Sequence, residues 1–135
     1  MRRISILFAC LPLVAPIRAQ SHRVITPTEA QNLVLASLTA REKRLPGVGL
    51  DSDDKLDSSG FLFFTVVWAS GPKDSVVVGN YAVDPRTGDV WSATSSCLEE
   101  SNRKLRAIQR HLRVELGLTD TDYKRLKTRG PLCLQ

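Results

Sequence analysis

The chain has 135 residues, 19 Lys and Arg against 14 Asp and Glu, a formal charge of +5, and 42% hydrophobic residues. A chain of this length can bury one modest core and leaves little room for a second. No repeat, low-complexity tract or second long hydrophobic stretch points beyond a single soluble domain.

In chain order, Met1-Arg2-Arg3 is a charged start, followed by Ile4, Ile6, Leu7, Phe8, Ala9, Leu11, Leu13 and Val14 with hardly a polar residue. That order is the signature of a secretory signal, with cleavage expected after Ala19. The apolar run falls short of the roughly 20 residues that span a bilayer. A variant reading takes Leu7-Phe8-Ala9-Cys10 as a lipoprotein processing site. Residues 1–19 are therefore expected to be a signal peptide and residues 20–135 one α+β domain, exported to the periplasm or secreted. Removing Arg2, Arg3 and Arg18 leaves 16 basic against 14 acidic residues, so most of the excess charge belongs to the signal. Loss of Cys10 leaves Cys97 and Cys133, an even pair in an oxidising compartment, and predicts a disulfide. Closing a loop of that size is expected to stabilise the fold by about 3 to 4 kcal/mol.

Thr26-Pro27-Thr28-Glu29 predicts a helix start, with Thr26 as N-cap, Pro27 at the first helical position and Glu29 completing a capping box. Ala30, Leu33, Val34, Ser37 and Leu38 keep helical spacing, so the helix is expected to run to about Arg41. Pro46, Gly47 and Gly49 open a loop carrying Asp51, Asp53, Asp54 and Asp57. Residues 61–69, aromatic and β-branched at both parities, predict a strand covered on both sides or lying mid-sheet. Ser75 to Val83 and Val90 to Ala93 predict two more strands, the latter two joined by the turn Asp84-Pro85-Arg86-Thr87-Gly88-Asp89. Connections this short predict a three-stranded antiparallel meander. Ser96 with Glu99 reads as a second capping box, opening a long helix through Leu98, Leu105, Ile108, Leu112 and Leu116 that Gly117 stops. A short helix is expected from Thr119, with Asp122 three positions on and Tyr123 and Leu126 packed, ending at Gly130-Pro131. The expected order is one helix, three strands, a long helix and a short one.

The Thr-Pro-Thr-Glu-Ala helix start and the run Gly79-Asn80-Tyr81-Ala82-Val83-Asp84-Pro85-Arg86-Thr87-Gly88-Asp89-Val90 resemble the small exported PepSY-type domain over residues 26–94. Residues 95–135 form a helical extension outside that resemblance. The resemblance implies a helix packed on an antiparallel sheet and, from some family members, binding or inhibition of a protease.

Little in the residues points to catalysis. Nucleophilic chemistry needs a base beside the nucleophile. His22 lies near the start of the mature chain, and His111 reads as a surface residue among arginines. The aspartates at 51, 53, 54 and 57 fail the EF-hand order, with Leu56 where glycine is required and Lys55 at a ligand position, so they read as a solvated loop. No metal or cofactor is expected, and the chain is expected to be a non-catalytic binding module.

Two candidate binding features stand out. Arg103, Arg106, Arg110 and Arg113 form a stripe on the long helix, which reads either as a docking face for an acidic protein, an anionic polymer or a lipid surface, or as an ordinary solvated face. Residues 97–135 carry nine basic and five acidic residues, whereas residues 20–96 carry seven and nine. Trp68, Tyr81 and Trp91 would line any sheet face that no helix covers, or else pack beneath the helices. The favoured reading is an inhibitor of an envelope or extracellular hydrolase that acts on a protein partner. The alternative is an envelope-associated protein docked through its basic helix. Nucleic acid is not expected as a partner.

Overall fold

The computed structural model describes residues 23–52, 55–69, 74–94, 96–127 and 130–131. Three helices, α1 (Pro27–Ser37), α2 (Arg103–Glu115) and α3 (Asp120–Leu126), accompany five strands. These are β1 (Gly49–Asp51), β2 (Leu62–Ala69), β3 (Ser75–Val83), β4 (Val90–Ser92) and β5 (Leu98–Glu99). The strands form one antiparallel sheet in the order β1-β2-β3-β4-β5. None of the helices among the described residues is long and apolar enough to cross a membrane. The expected signal peptide lies outside the described residues.

The meander therefore has five strands where three were expected. β1 and β5 escape the sequence because they are three and two residues long, too short to display a period of two. They pair at the sheet edges, with Gly49 opposite Val67 and Trp91 opposite Glu99. The expected capping box at Ser96 also fails. Cys97 adopts φ 44°, outside the right-handed helical region, and its N–H bonds back to the Thr94 carbonyl at 3.0 Å. Leu98 enters β5, and α2 starts at Arg103 behind Asn102, whose Oδ1 accepts from the Leu105 N–H at 2.9 Å. The architecture expected from the sequence also included a Cys97–Cys133 disulfide. Cys97 is disulfide-bonded, while Cys133, its expected partner, lies outside the described residues; Cys97 Sγ lies 3.3 Å from the Pro131 carbonyl oxygen.

The first helix begins as expected. Thr26 Oγ1 accepts from the Glu29 N–H while the Thr26 N–H donates to Glu29 Oε2 at 2.7 Å. It ends at Ser37, four residues early. Ser37 Oγ bonds back to the Val34 carbonyl at 2.7 Å, and Leu38 turns out of the helix with ψ 141° into the core. Thr39 and Glu42 then repeat the capping-box pattern around a short 3-10 turn at Glu42–Arg44. Glu29 also takes both guanidinium nitrogens of Arg23, and that ion pair, with the Thr26 N–H, holds its carboxyl down at about 2. Because its ordinary value is 4.5, the contribution of Glu29 to stability rises as pH climbs from about 2 to 4.5 and is lost on acidification. Glu29→Gln should lower stability at neutral pH by about 1 kcal/mol or less, the site being partly exposed, and should flatten that acid limb in urea titrations. An unchanged limb would show that the cap carries no charge-dependent stability.

β2 presents Leu62, Phe64 and Val66 to one side, where they meet Leu33 and Val34 of α1 and Leu105 and Leu112 of α2. The opposite side carries a second cluster of Phe61, Phe63, Ala82, Trp91 and Ala93. This is why residues 61–69 are apolar at both parities. Gly130 lies against that second cluster so closely that a Cβ there would stand 3.0 Å from the Trp91 ring. A bulge between Val66 and Val67 shifts the register with β3. Beyond it, β3 outruns β4, which pairs only with Tyr81 to Val83, and Val76 and Val77 are exposed.

Candidate functional site

The turn Asp84-Pro85-Arg86-Thr87-Gly88-Asp89 is not a surface hairpin. It is buried between α1 and α2, with Asp84, Thr87 and Asp89 at 1%, 0% and 2% exposure. Buried carboxylates demand partners. Asp84 accepts from the Arg86 backbone N–H at 2.9 Å and from its guanidinium at 2.8 Å. Asp89 accepts from Thr87 Oγ1 at 2.9 Å, from Arg113 Nη2 at 2.6 Å and from the Tyr123 hydroxyl at 3.1 Å. Burial pushes the Asp89 carboxyl up, opposed by the Arg113 charge and the Thr87 hydroxyl. Arg113 Nε also donates to the Thr87 carbonyl at 2.9 Å, and its guanidinium lies 3.8 Å from the centre of the Tyr123 ring.

Gly88 occupies the tightest point of the turn at φ 73°, where a Cβ would meet Leu112 Cδ2 at 3.2 Å and Leu33 Cδ1 at 3.4 Å. Gly88→Ala should cost about 1–2 kcal/mol from the left-handed backbone alone. It should lower the urea midpoint with an unchanged slope; an unchanged midpoint would mean that the turn relaxes without strain.

These anchors set the floor of a groove on α2. Arg103, Arg106, Gln109, Arg110 and Arg113 line about 560 Å³. Gln109, 5% exposed, is fixed by a 2.9 Å bond from Nε2 to the Gly88 carbonyl, and Arg113 is fixed to Asp89. Arg103, Arg106 and Arg110 are exposed, and Arg106 Nη1 reaches the Ser101 hydroxyl at 3.2 Å. Of the four arginines singled out in the sequence, three thus form the outer surface while Arg113 is a structural pin. What the sequence alone did not bring forward is Gln109 in the groove lining and the buried turn beneath it, whose Thr87, Gly88 and Asp89 anchor Gln109 and Arg113 through bonds that span 21 to 26 positions.

The three aromatic candidates are not brought together. Tyr81 is 7% exposed in the helix-side core, where burial pushes its hydroxyl up to about 12. Trp91 lies on the opposite side of the sheet, its buried Nε1 without a hydrogen-bond partner among the described residues, and Trp68 sits partly buried near the end of β2. Of the acidic loop, Asp51 and Asp57 share a cleft of about 460 Å³ with Ser52, Lys55, Phe63 and Thr65. Asp57 is engaged in its own turn, accepting from the backbone N–H groups of Ser59 and Phe61 at 3.0 and 2.8 Å. Asp53 and Asp54 lie outside the described residues, as does His22. His111 is exposed and 3.3 Å from Glu115 one helical turn on.

No protein-family model matches the chain, and no curated protein does. A solved structure is similar: a chain in "Structure of a type VI secretion system effector-immunity complex from Pseudomonas protegens". The two share 27% identity at a TM-score of 0.59, over 76% of this chain and 85% of that one.

Proposed function

We propose that this chain is a protein-binding module of the immunity type, which neutralises a toxic effector by occluding it and performs no chemistry of its own. The observation that carries this reading is the likeness to a chain solved within an effector–immunity complex, extending over 85% of that chain's length. The polar groups best placed for chemistry support it. Asp89, Thr87, Arg113 and Tyr123 bond to one another and to the turn, so their hydrogen-bonding capacity serves the fold. The charged start and apolar run of residues 1–19, read as a secretory signal, support an encounter outside the cytoplasm, in the periplasm or beyond it. The inhibitory role implied by the resemblance to PepSY-type domains agrees in kind.

The test is capture followed by inhibition. The purified protein is immobilised, bacterial envelope and culture-supernatant extracts are passed over it, and retained proteins are identified and assayed. The expected result is one exported hydrolase held in stoichiometric amount, whose activity falls in proportion to added protein. A retained enzyme that keeps full activity would overturn occlusion. Retention of anionic polymer or lipid without any protein would replace this reading with envelope docking through the basic helix.

A further inference from the structure

We infer that the basic groove of α2 is the surface on which a carboxylate-rich segment of the protein partner docks, an assignment that rests on the protein-binding reading above. Arg103, Arg106 and Arg110 succeed one another at three and four positions, so their guanidinium groups cover about 10 Å of one ridge. No carboxylate lines the groove, and Arg103 and Arg110 make no ion pair among the described residues. Three neighbouring cations repel one another until an anion arrives, and each carries a planar fork suited to bidentate carboxylate contacts. The floor beneath them does not need to reorganise, because Gln109 and Arg113 are already bonded to the Gly88 carbonyl and to Asp89. Carboxylates three and four positions apart on a partner helix stand about 5–6 Å apart, which matches the spacing of the arginines.

The shape of the face favours a protein over a lipid surface. The apolar side of α2 is spent on the core, with Leu105, Leu112 and Leu116 at 0%, 6% and 4% exposure. A helix that lies on a membrane needs that side free to insert. One turn beyond Arg110, Val114 stands 76% exposed, a single apolar contact beside three arginines. That is sufficient as an apolar neighbour to arginine contacts in a protein interface and far too little to anchor in acyl chains.

The experiment uses the purified protein and three probes. Fluorescence anisotropy measures binding of a labelled deca-glutamate peptide and of a deca-lysine control at about 20 mM and about 150 mM salt, where the screening length shortens to about 8 Å. Co-sedimentation measures binding to phosphatidylglycerol–phosphatidylcholine vesicles. The groove variant is Arg103→Ala/Arg106→Ala/Arg110→Ala, and a charge-matched control is Arg41→Ala/Arg44→Ala/Lys124→Ala. Circular dichroism verifies that both remain folded. The expected result is deca-glutamate binding by the native chain and the control, at least tenfold weaker in the groove variant and weaker at higher salt, with no vesicle binding. Equal binding by the groove variant, no peptide binding by the native chain, or preference for vesicles would each overturn the assignment. Capture of the partner, repeated with the groove variant, separates the two readings. Partner retained equally by native and variant protein overturns the groove and leaves the inhibitor standing; no partner retained by the native protein overturns the inhibitor itself.

Discussion

Arg113→Ala should destabilise the fold by about 3–5 kcal/mol, the largest effect expected from any single arginine of the stripe. Removing the side chain leaves the Asp89 carboxylate buried at 2% exposure with the hydroxyls of Thr87 and Tyr123 as its side-chain donors among the described residues, and frees the Thr87 carbonyl of its Nε donor. Tyr123 loses the nearer of its two cations, Lys127 remaining 5.6 Å from the ring centre, and with it a tie between α3 and α2. The deficit should depend on pH with a defined sign. Burial already raises the Asp89 carboxyl above its ordinary value of 3.8, and Arg113 is the leading influence that holds it down. Without that cation the folded chain binds its proton more tightly than the unfolded chain does. Stability of the variant therefore falls as pH rises above 3.8, while below that value the protonated carboxyl needs no cation and the deficit shrinks. Asp89→Asn in the Arg113→Ala background should recover much of the loss, since it removes the uncompensated charge. Urea titrations across pH 3 to 8 measure all three chains. A deficit independent of pH would show that packing, not the buried charge, accounts for Arg113.

The contrast with its neighbours on the stripe is the functional point. Alanine at Arg103 or Arg110 removes an exposed side chain with no ion pair among the described residues, and should change stability by less than about 0.5 kcal/mol. One periodic stripe thus divides into a residue that holds the fold and others free to meet a partner. Sequence spacing treats the four alike, because the carboxylate that distinguishes Arg113 lies 24 positions away.

That division marks where local signals suffice. Thr26 with Glu29 and Thr119 with Asp122 are capping boxes in the sequence and in the structure, since all their atoms lie within four residues. The three central strands are legible from their β-branched and aromatic runs. Ser96 with Glu99 has the same letters and fails, because the chain at Cys97 takes φ 44° and the following residues pair with β4. A capping box is a local preference worth about 1 kcal/mol, and sheet pairing at Leu98 and Glu99 overrides it. Tyr81 is a candidate for recognition only on a sheet face that no helix covers. It packs back over Gly79, where a Cβ would stand 3.1 Å from its ring, and at 7% exposure it belongs to the core. The aromatic residues flank both sides of one sheet, and no period of two can say which side a helix covers.

Asn102→Ala should cost about 2–3 kcal/mol, more than a helix cap alone is worth. Oδ1 caps α2 through the Leu105 N–H, a contribution of about 1 kcal/mol. Nδ2 reaches across to the last turn of α1, donating to the carbonyls of Ala36 and Ser37 at 3.0 and 3.2 Å. Those carbonyls have no intrahelical donor, because Leu38 turns away with ψ 141°. One side chain thus starts one helix and finishes another, and each partly buried bond adds about 1 kcal/mol. The two roles separate in a pair of variants. Asn102→Ser keeps an oxygen for the Leu105 N–H but cannot span to both carbonyls, so it should recover only the cap, about 1 kcal/mol. If serine restores full stability, the bridge to α1 carries nothing; if serine is no better than alanine, the cap carries nothing. The expected intermediate value would mean that α1 and α2, which together enclose the buried turn beneath the arginine groove, are held in register by a residue that touches neither the turn nor the groove.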